Sequence, residues 1–302
     1  MEGSIQINLT KTKAGWQMAV IELKDVSKLY GFGNATTLAL DEINLTIESS
    51  EFMAVMGPSG SGKTTLMNLI GLLDKPTNGS YTLDGRYVSR LRPNQQAKLR
   101  RGRIGFVFQS YNLLPRLNVL ENVALPLAYR GVTPMRRLQK ASDTLERVGM
   151  RDREYFMPRN LSGGEGQRAA IARALINSPS IIIADEPTGN LDSGSSKVVM
   201  ELLADIHRQG NTILLVTHNP ELTRYANRVI YMVDGVIVND EKTAIGQVAR
   251  GTRRTYYQKP RMSDDEIAEG VSVLMREAPS IALKAKAKGR RRRKLSKRKY
   301  RQ

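Results

Sequence analysis

The segment Gly57-Pro58-Ser59-Gly60-Ser61-Gly62-Lys63-Thr64 constrains this chain more than any other feature. It fits the spacing glycine, four residues, then Gly-Lys-Ser/Thr. A compact apolar run, Phe52 to Met56, precedes it. Leu66, Leu69, Ile70 and Leu73 follow at helical spacing on one face. Strand, glycine-rich loop and helix form the opening unit of a nucleotide-binding α/β domain. The glycines let backbone N–H groups close around phosphate oxygens, and the helix turns its positive N-terminal end toward the anion. In that frame Lys63 is expected to reach the β and γ phosphates of a nucleotide, Thr64 to ligate Mg²⁺, and Thr65 to complete the loop.

A second pattern supports the first. Ile181-Ile182-Ile183-Ala184-Asp185-Glu186 is an apolar strand that ends in two acids. Ligands of open α/β sheets bind at the carboxyl ends of the strands. Asp185 is expected to hold Mg²⁺, directly or through water, and Glu186 to polarise the attacking water. Two acids after a strand are more often a solvated turn, and the phosphate loop is what gives them chemistry.

The remaining elements can be placed from periodicity. Ala19 to Val26 alternates as a strand, and Leu45 and Ile47 belong to a second. Asp84-Gly85 marks a hairpin turn. Ile104 to Phe108 reads as a strand. Ser110 to Asn160 reads as helical, punctuated by Pro115, Pro126 and Pro134. Ser180 to Ala184 and Thr212 to Thr217 suit buried parallel strands. Arg228 to Val238 forms a final hairpin about Asp234-Gly235, and the regular pattern stops after Asp240. Residues 1–18 are expected to be an N-terminal extension without clear period, residues 19–240 one nucleotide-binding domain with a helical part near 110–160, and residues 241–302 a basic tail.

A third motif, Leu161-Ser162-Gly163-Gly164-Glu165, opens a helix with free N–H groups and a hydroxyl. As an isolated peptide it is a capped helix start. Between the helical region and the Asp185-Glu186 strand, it makes Ile21 to Val238 resemble the ABC ATPase family. The resemblance implies an α/β core, an antiparallel β subdomain and a helical subdomain. It implies ATP and Mg²⁺ as ligands. It also implies a homodimer in which Leu161 to Glu165 contact the nucleotide of the other subunit. Tyr30 resembles the residue that stacks on adenine. Gln109 resembles the glutamine that senses Mg²⁺, water and the membrane partner, His218 the histidine that contacts the γ-phosphate, and Asp192 the loop that couples the two sites. His207 reads as a surface residue. Ser50 stands where the family commonly has glycine, and Gly166 where close relatives carry glutamine.

Phe106 to Pro115, Glu121 to Val123, Leu125 to Leu127, Gly71 to Gly79 and Ala184 to Asp192 resemble one subgroup. It contains the ATPases of macrolide exporters, lipoprotein-release systems, antimicrobial-peptide resistance pumps and a cell-division complex. The resemblance implies a separate integral membrane permease as partner, and a cytoplasmic chain lying peripherally at the inner membrane face. Some members transmit mechanical force instead of moving substrate.

Composition limits the other classes. The chain has 302 residues and no cysteine, so zinc-thiolate and thiol chemistry are excluded. No apolar run approaches the length of a membrane span, and the N-terminus lacks a basic start followed by an apolar stretch. The formal net charge is +18. Residues 241–302 hold 19 basic and 6 acidic residues, so most of that charge belongs to the tail. There Ser263 and Glu266 have capping-box spacing ahead of Ile267, Val271 and Leu274, which share a helical face, so a short amphipathic helix is expected. Lys284 to Arg301 contains 12 basic residues and no acid. Such a run is expected to be solvated. Contact with anionic lipid is the sharper expectation, and nucleic-acid binding is the weaker one, since Tyr300 is the only aromatic there.

Overall fold

The computed structural model describes residues 9–12, 15–31 and 36–243. For residues 9–12 and 15–18 it describes the backbone path only. The expected tail helix and the basic run lie outside these residues.

Two sheets organise the chain. The first has five antiparallel strands: β1 (Leu9–Thr12), β2 (Gly15–Tyr30), β3 (Thr37–Glu48), β5 (Asn78–Leu83) and β6 (Arg86–Tyr87). Its order is β1-β2-β5-β6, with β3 also paired to β2. The second has six strands: β4 (Phe52–Met56), β7 (Ile104–Val107), β8 (Ile181–Asp185), β9 (Ile213–Val216), β10 (Arg228–Val233) and β11 (Val236–Lys242). Their order is β11-β10-β4-β9-β8-β7. All pair in parallel except the closing β10–β11 hairpin.

The core strands are buried on both faces, which explains their unbroken apolar sequences. Alternate residues serve different layers. Phe52, Ala54, Ile182, Ala184, Ile213 and Leu215 join the core beneath the helices. Met53, Val55, Ile181, Ile183, Leu214 and Val216 join the core shared with the antiparallel sheet and the helix after the phosphate loop. This period of two follows from the pleat.

The helices are α1 (Lys63–Ile70), α2 (Pro93–Arg103), α3 (Val119–Tyr129), α4 (Pro134–Arg147), α5 (Gly163–Leu175) and α6 (Ser193–Arg208). Helices α3 and α4 occupy about half of the stretch expected to be helical, followed by two short 3₁₀ turns at Arg151–Arg153 and Pro158–Asn160. Among the described residues, no helix is long and apolar enough to cross a membrane.

Five sequence expectations need correction. Leu73 is not on the apolar face of α1: the helix stops at Ile70, Leu72 takes a left-handed φ of 55°, and Leu73 is left 48% exposed. Pro126 does not punctuate the chain but sits inside α3, which tolerates one missing N–H. Strand β1 and the first residues of β2 fall in the stretch expected to lack a pattern. Strand β11 runs two residues past Asp240. His207 is no simple surface residue: its ring packs edge-on to Phe52 at 5.6 Å and its Nε2 lies 3.0 Å from the Ser50 carbonyl. Helix α2, where no expectation was formed, starts at Pro93 with a Gln95 side chain accepting from the Arg92 N–H.

Ser50 adopts φ 59°, the left-handed region that glycine would occupy without strain. Two hydrogen bonds hold it there. Its hydroxyl donates to the Gly210 carbonyl at 2.9 Å, and its N–H donates to Thr212 Oγ1 at 3.0 Å.

Candidate nucleotide-binding site

Four parallel strands deliver the chemistry-bearing residues to one edge of the core sheet. Strand β4 leads into the phosphate loop, β7 toward Gln109, β8 into Asp185-Glu186 and β9 into Thr217-His218. Adjacency in the sheet, not in sequence, makes this one site.

In the loop, Gly57 has φ +149° and Gly62 φ +96°. A side chain at Gly57 would place its Cβ 2.1 Å from the Met232 carbonyl, and one at Gly62 would lie 2.7 Å from the Ala39 carbonyl. These two positions therefore require glycine for conformation and for space. Ser61 is buried, and its N–H donates to the Pro58 carbonyl at 3.3 Å. The Lys63 ammonium donates to the Gly57 and Pro58 carbonyls at 2.8 and 2.7 Å, which centres a cation in the loop. Ser59 and Gly60 form its exposed rim. Thr64 and Thr65 open α1.

Glu186 has φ 43°, an unusual backbone for a non-glycine residue and a mark of local strain. Its N–H donates to the Val216 carbonyl of β9 at 2.9 Å. Its carboxylate accepts from the Thr217 hydroxyl at 3.0 Å and the His218 N–H at 2.9 Å, with His218 Nδ1 at 2.6 Å. Burial raises the Asp185 carboxyl above its ordinary range. The neighbouring Glu186 adds to this, and Lys63 partly opposes it.

Gln109 lies two residues past the end of β7. Its side-chain N–H donates to Asn190 Oδ1 at 3.1 Å, joining it to the loop before Asp192. Asp192 caps α6, accepting from the Ser195 N–H at 2.9 Å. Hydrogen bonds from the Ser195 side chain and then its backbone hold the Asp192 carboxyl below the usual range.

Ser162 and Glu165 form a capping box at the start of α5. Glu165 accepts from the Ser162 N–H at 2.8 Å and from Arg153 at 3.0 Å. Gly163 and Gly164 face Tyr111 and Ser195, where an added Cβ would lie 2.8 and 3.0 Å from the two hydroxyl oxygens. Leu161 packs against the helical core. Among the described residues, no hydrogen bond or ion pair joins this motif to the phosphate loop.

Tyr30, at the end of β2, is 40% exposed, and its hydroxyl donates to Asp74 Oδ2 at 2.8 Å. Lys28, Asp74, Tyr111, Arg153 and Thr217 escaped the reading of the sequence as site residues. Thr217 had a signal, being adjacent to His218. Lys28 also had one, since residues two apart on a strand share a face.

The profile of the ABC transporter family matches residues 40–189. The uncharacterized ABC transporter ATP-binding protein YvrO of Bacillus subtilis is 48% identical over 74% of this chain and 97% of its own length. The chain belongs to the ABC transporter family. Another ABC relative, the macrolide export ATP-binding/permease protein MacB of Hyphomonas neptunium, is 45% identical over 85% of the chain. The chain spans only 40% of that relative's length. Among solved ABC structures, a dimeric post-hydrolysis state of the ATP-binding cassette MJ0796 bound to ADP and Pi superposes with a TM-score of 0.68. It is 41% identical and covers 77% of this chain and 100% of that one.

Proposed function

We propose that this chain binds and hydrolyses ATP as the motor subunit of an ABC transporter. The observation that carries the reading is Glu186: a strained carboxylate at the carboxyl end of β8, oriented by Thr217 and His218 beside the phosphate loop. Residues Gly57 to Thr65 wrap the phosphates, and Lys63 meets the β and γ groups. Tyr30 receives the base. Glu186 takes a proton from the attacking water, while His218 holds Glu186 and meets the γ-phosphate.

Thr64, Asp185 and Gln109 are the residues that would hold Mg²⁺. Their oxygens are the hard donors this ion prefers. The mutually repelling Asp185 and Glu186 carboxylates also favour a cation between them and the phosphates. When bound, the ion neutralises phosphate charge.

Among the described residues, the Leu161 to Glu165 motif is capped and tethered within its own chain and makes no hydrogen bond or ion pair with its own phosphate loop. This supports a homodimer in which each motif meets the partner's nucleotide, with Asp192 and Asn190 coupling the two sites through Gln109. The dimeric MJ0796 cassette and the ATP-binding/permease relative support a dimer attached to a membrane permease. In that assembly the chain is cytoplasmic and peripheral at the inner membrane face. Residues 15–242, from β2 to β11, form the ATPase domain, and the basic tail that follows contacts anionic lipid.

Glu186→Gln tests the reading. It is expected to bind ATP, stall hydrolysis and trap a dimer measurable by size-exclusion chromatography with light scattering. Normal turnover in that variant would remove Glu186 from the chemistry.

A further inference from the structure

The base platform around Tyr30 is assembled by Lys28 and Asp74, to which no role has so far been given. Lys28 and Tyr30 leave β2 on the same face. The Lys28 ammonium lies 4.8 Å from the Tyr30 ring centroid. It is anchored by Asp74 Oδ1 at 2.6 Å and the Lys75 carbonyl at 2.9 Å. The same Asp74 carboxylate accepts the Tyr30 hydroxyl through its other oxygen at 2.8 Å. The strand carrying the pair is itself tied to this segment: the Leu29 N–H donates to Thr77 Oγ1 at 3.0 Å, and the Thr77 N–H donates to the Ser27 carbonyl at 2.8 Å.

The Lys28 side chain is only 12% exposed and lies over the Tyr30 ring, while Tyr30 itself stays 40% exposed. Asp74 fixes ring tilt and cation together, because one carboxylate holds both. A platform held in place before ligand arrives loses less ordering entropy on binding.

We propose that Lys28 and Asp74 are positioning residues for adenine recognition, holding Tyr30 so that a purine base stacks on one defined face. This rests on the nucleotide-binding reading above. Lys28 acts on the base, through the ring, and not on the phosphates.

The test uses the full chain and two probes, ATP and inorganic tripolyphosphate, with dissociation constants measured by calorimetry. Lys28→Met and Asp74→Asn are expected to weaken ATP by about threefold to tenfold, the scale of one cation–π contact. Tripolyphosphate affinity should stay unchanged, and Lys28→Arg should restore ATP binding. Equal loss for both probes, or no loss for either, overturns the proposal. A wild-type chain that binds tripolyphosphate as tightly as ATP would instead remove Tyr30 as a base platform. Binding of neither probe would remove the nucleotide reading itself.

Discussion

His218 Nδ1 lies 2.6 Å from Glu186 Oε1, joining the ends of two neighbouring strands across 32 residues of sequence. Thr217 and the His218 backbone add two more hydrogen bonds to the same carboxylate. The side chains divide unequally between solvent and protein: His218 is 76% exposed and Glu186 19%. The histidine thus stands at the open side of the site and the acid beneath it. His218→Ala leaves the other two donors in place and removes the outer one. Steady-state kinetics should show kcat reduced by about a hundredfold, the scale of one positioned acid–base group. ATP affinity should change little. A variant with full kcat would sink the pairing as a functional unit.

Asp185 carries a stability cost. Burial first, then Glu186, raises its carboxyl pKa. A carboxyl raised in the folded state binds its proton more tightly there than when unfolded. Its ionised form therefore destabilises the fold above the raised folded value. The penalty is relieved as pH falls through that value toward the ordinary carboxylate range. Asp185→Asn should raise the nucleotide-free Tm at neutral pH by about 2–4 °C, corresponding to about 1 kcal/mol. The gap to wild type should narrow as pH is lowered, and hydrolysis should be lost. A gap that widens on acidification contradicts this account.

Gly166 is buried on α5 against the ring of Tyr111, and an added Cβ would sit 3.0 Å from Tyr111 Cδ2. Tyr111 itself has φ 55°, and its carbonyl accepts from Arg173 at 2.7 Å, so its ring has little freedom to retreat. Gly166→Ala gains about 1 kcal/mol of helix propensity but crowds the ring. In a double-mutant cycle, Gly166→Ala should be more favourable by about 1 kcal/mol in a Tyr111→Ala background than in wild type. Additive effects in chemical denaturation would show that the ring does not exclude the side chain.

Arg228 ties the two sheets together. It donates to Asp240 at 2.7 and 2.6 Å, to Glu51 at 3.2 Å and to the Thr46 carbonyl at 2.7 Å. These partners, Asp240 foremost, hold its guanidinium firmly protonated against the effect of burial. Arg228→Met leaves the buried Glu51 without its cation and should cost about 3 kcal/mol in urea unfolding. Lysine cannot span three partners with a planar fork, so Arg228→Lys should recover only part of that. Full recovery by lysine would reduce the network to simple charge.

The sequence by itself determined the parts whose chemistry is local. The phosphate loop, the Asp185-Glu186 strand end and the Ser162-Glu165 cap are contiguous. Their glycines, carboxylates and capping residues carry their conformational demands with them. The unbroken apolar strands likewise announced a sheet buried on both faces. Tertiary structure decided what depends on pairing distant segments. Only the strand order brings Glu186 beside Thr217 and His218, and only the docking of β2 on the Asp74 to Thr77 segment after α1 places Asp74 on Lys28 and Tyr30. No periodicity encodes Tyr111 against Gly166 or His207 on Ser50, since each depends on where two backbones meet. The phosphate loop that opened the reading is therefore one quarter of an edge that four strands build together.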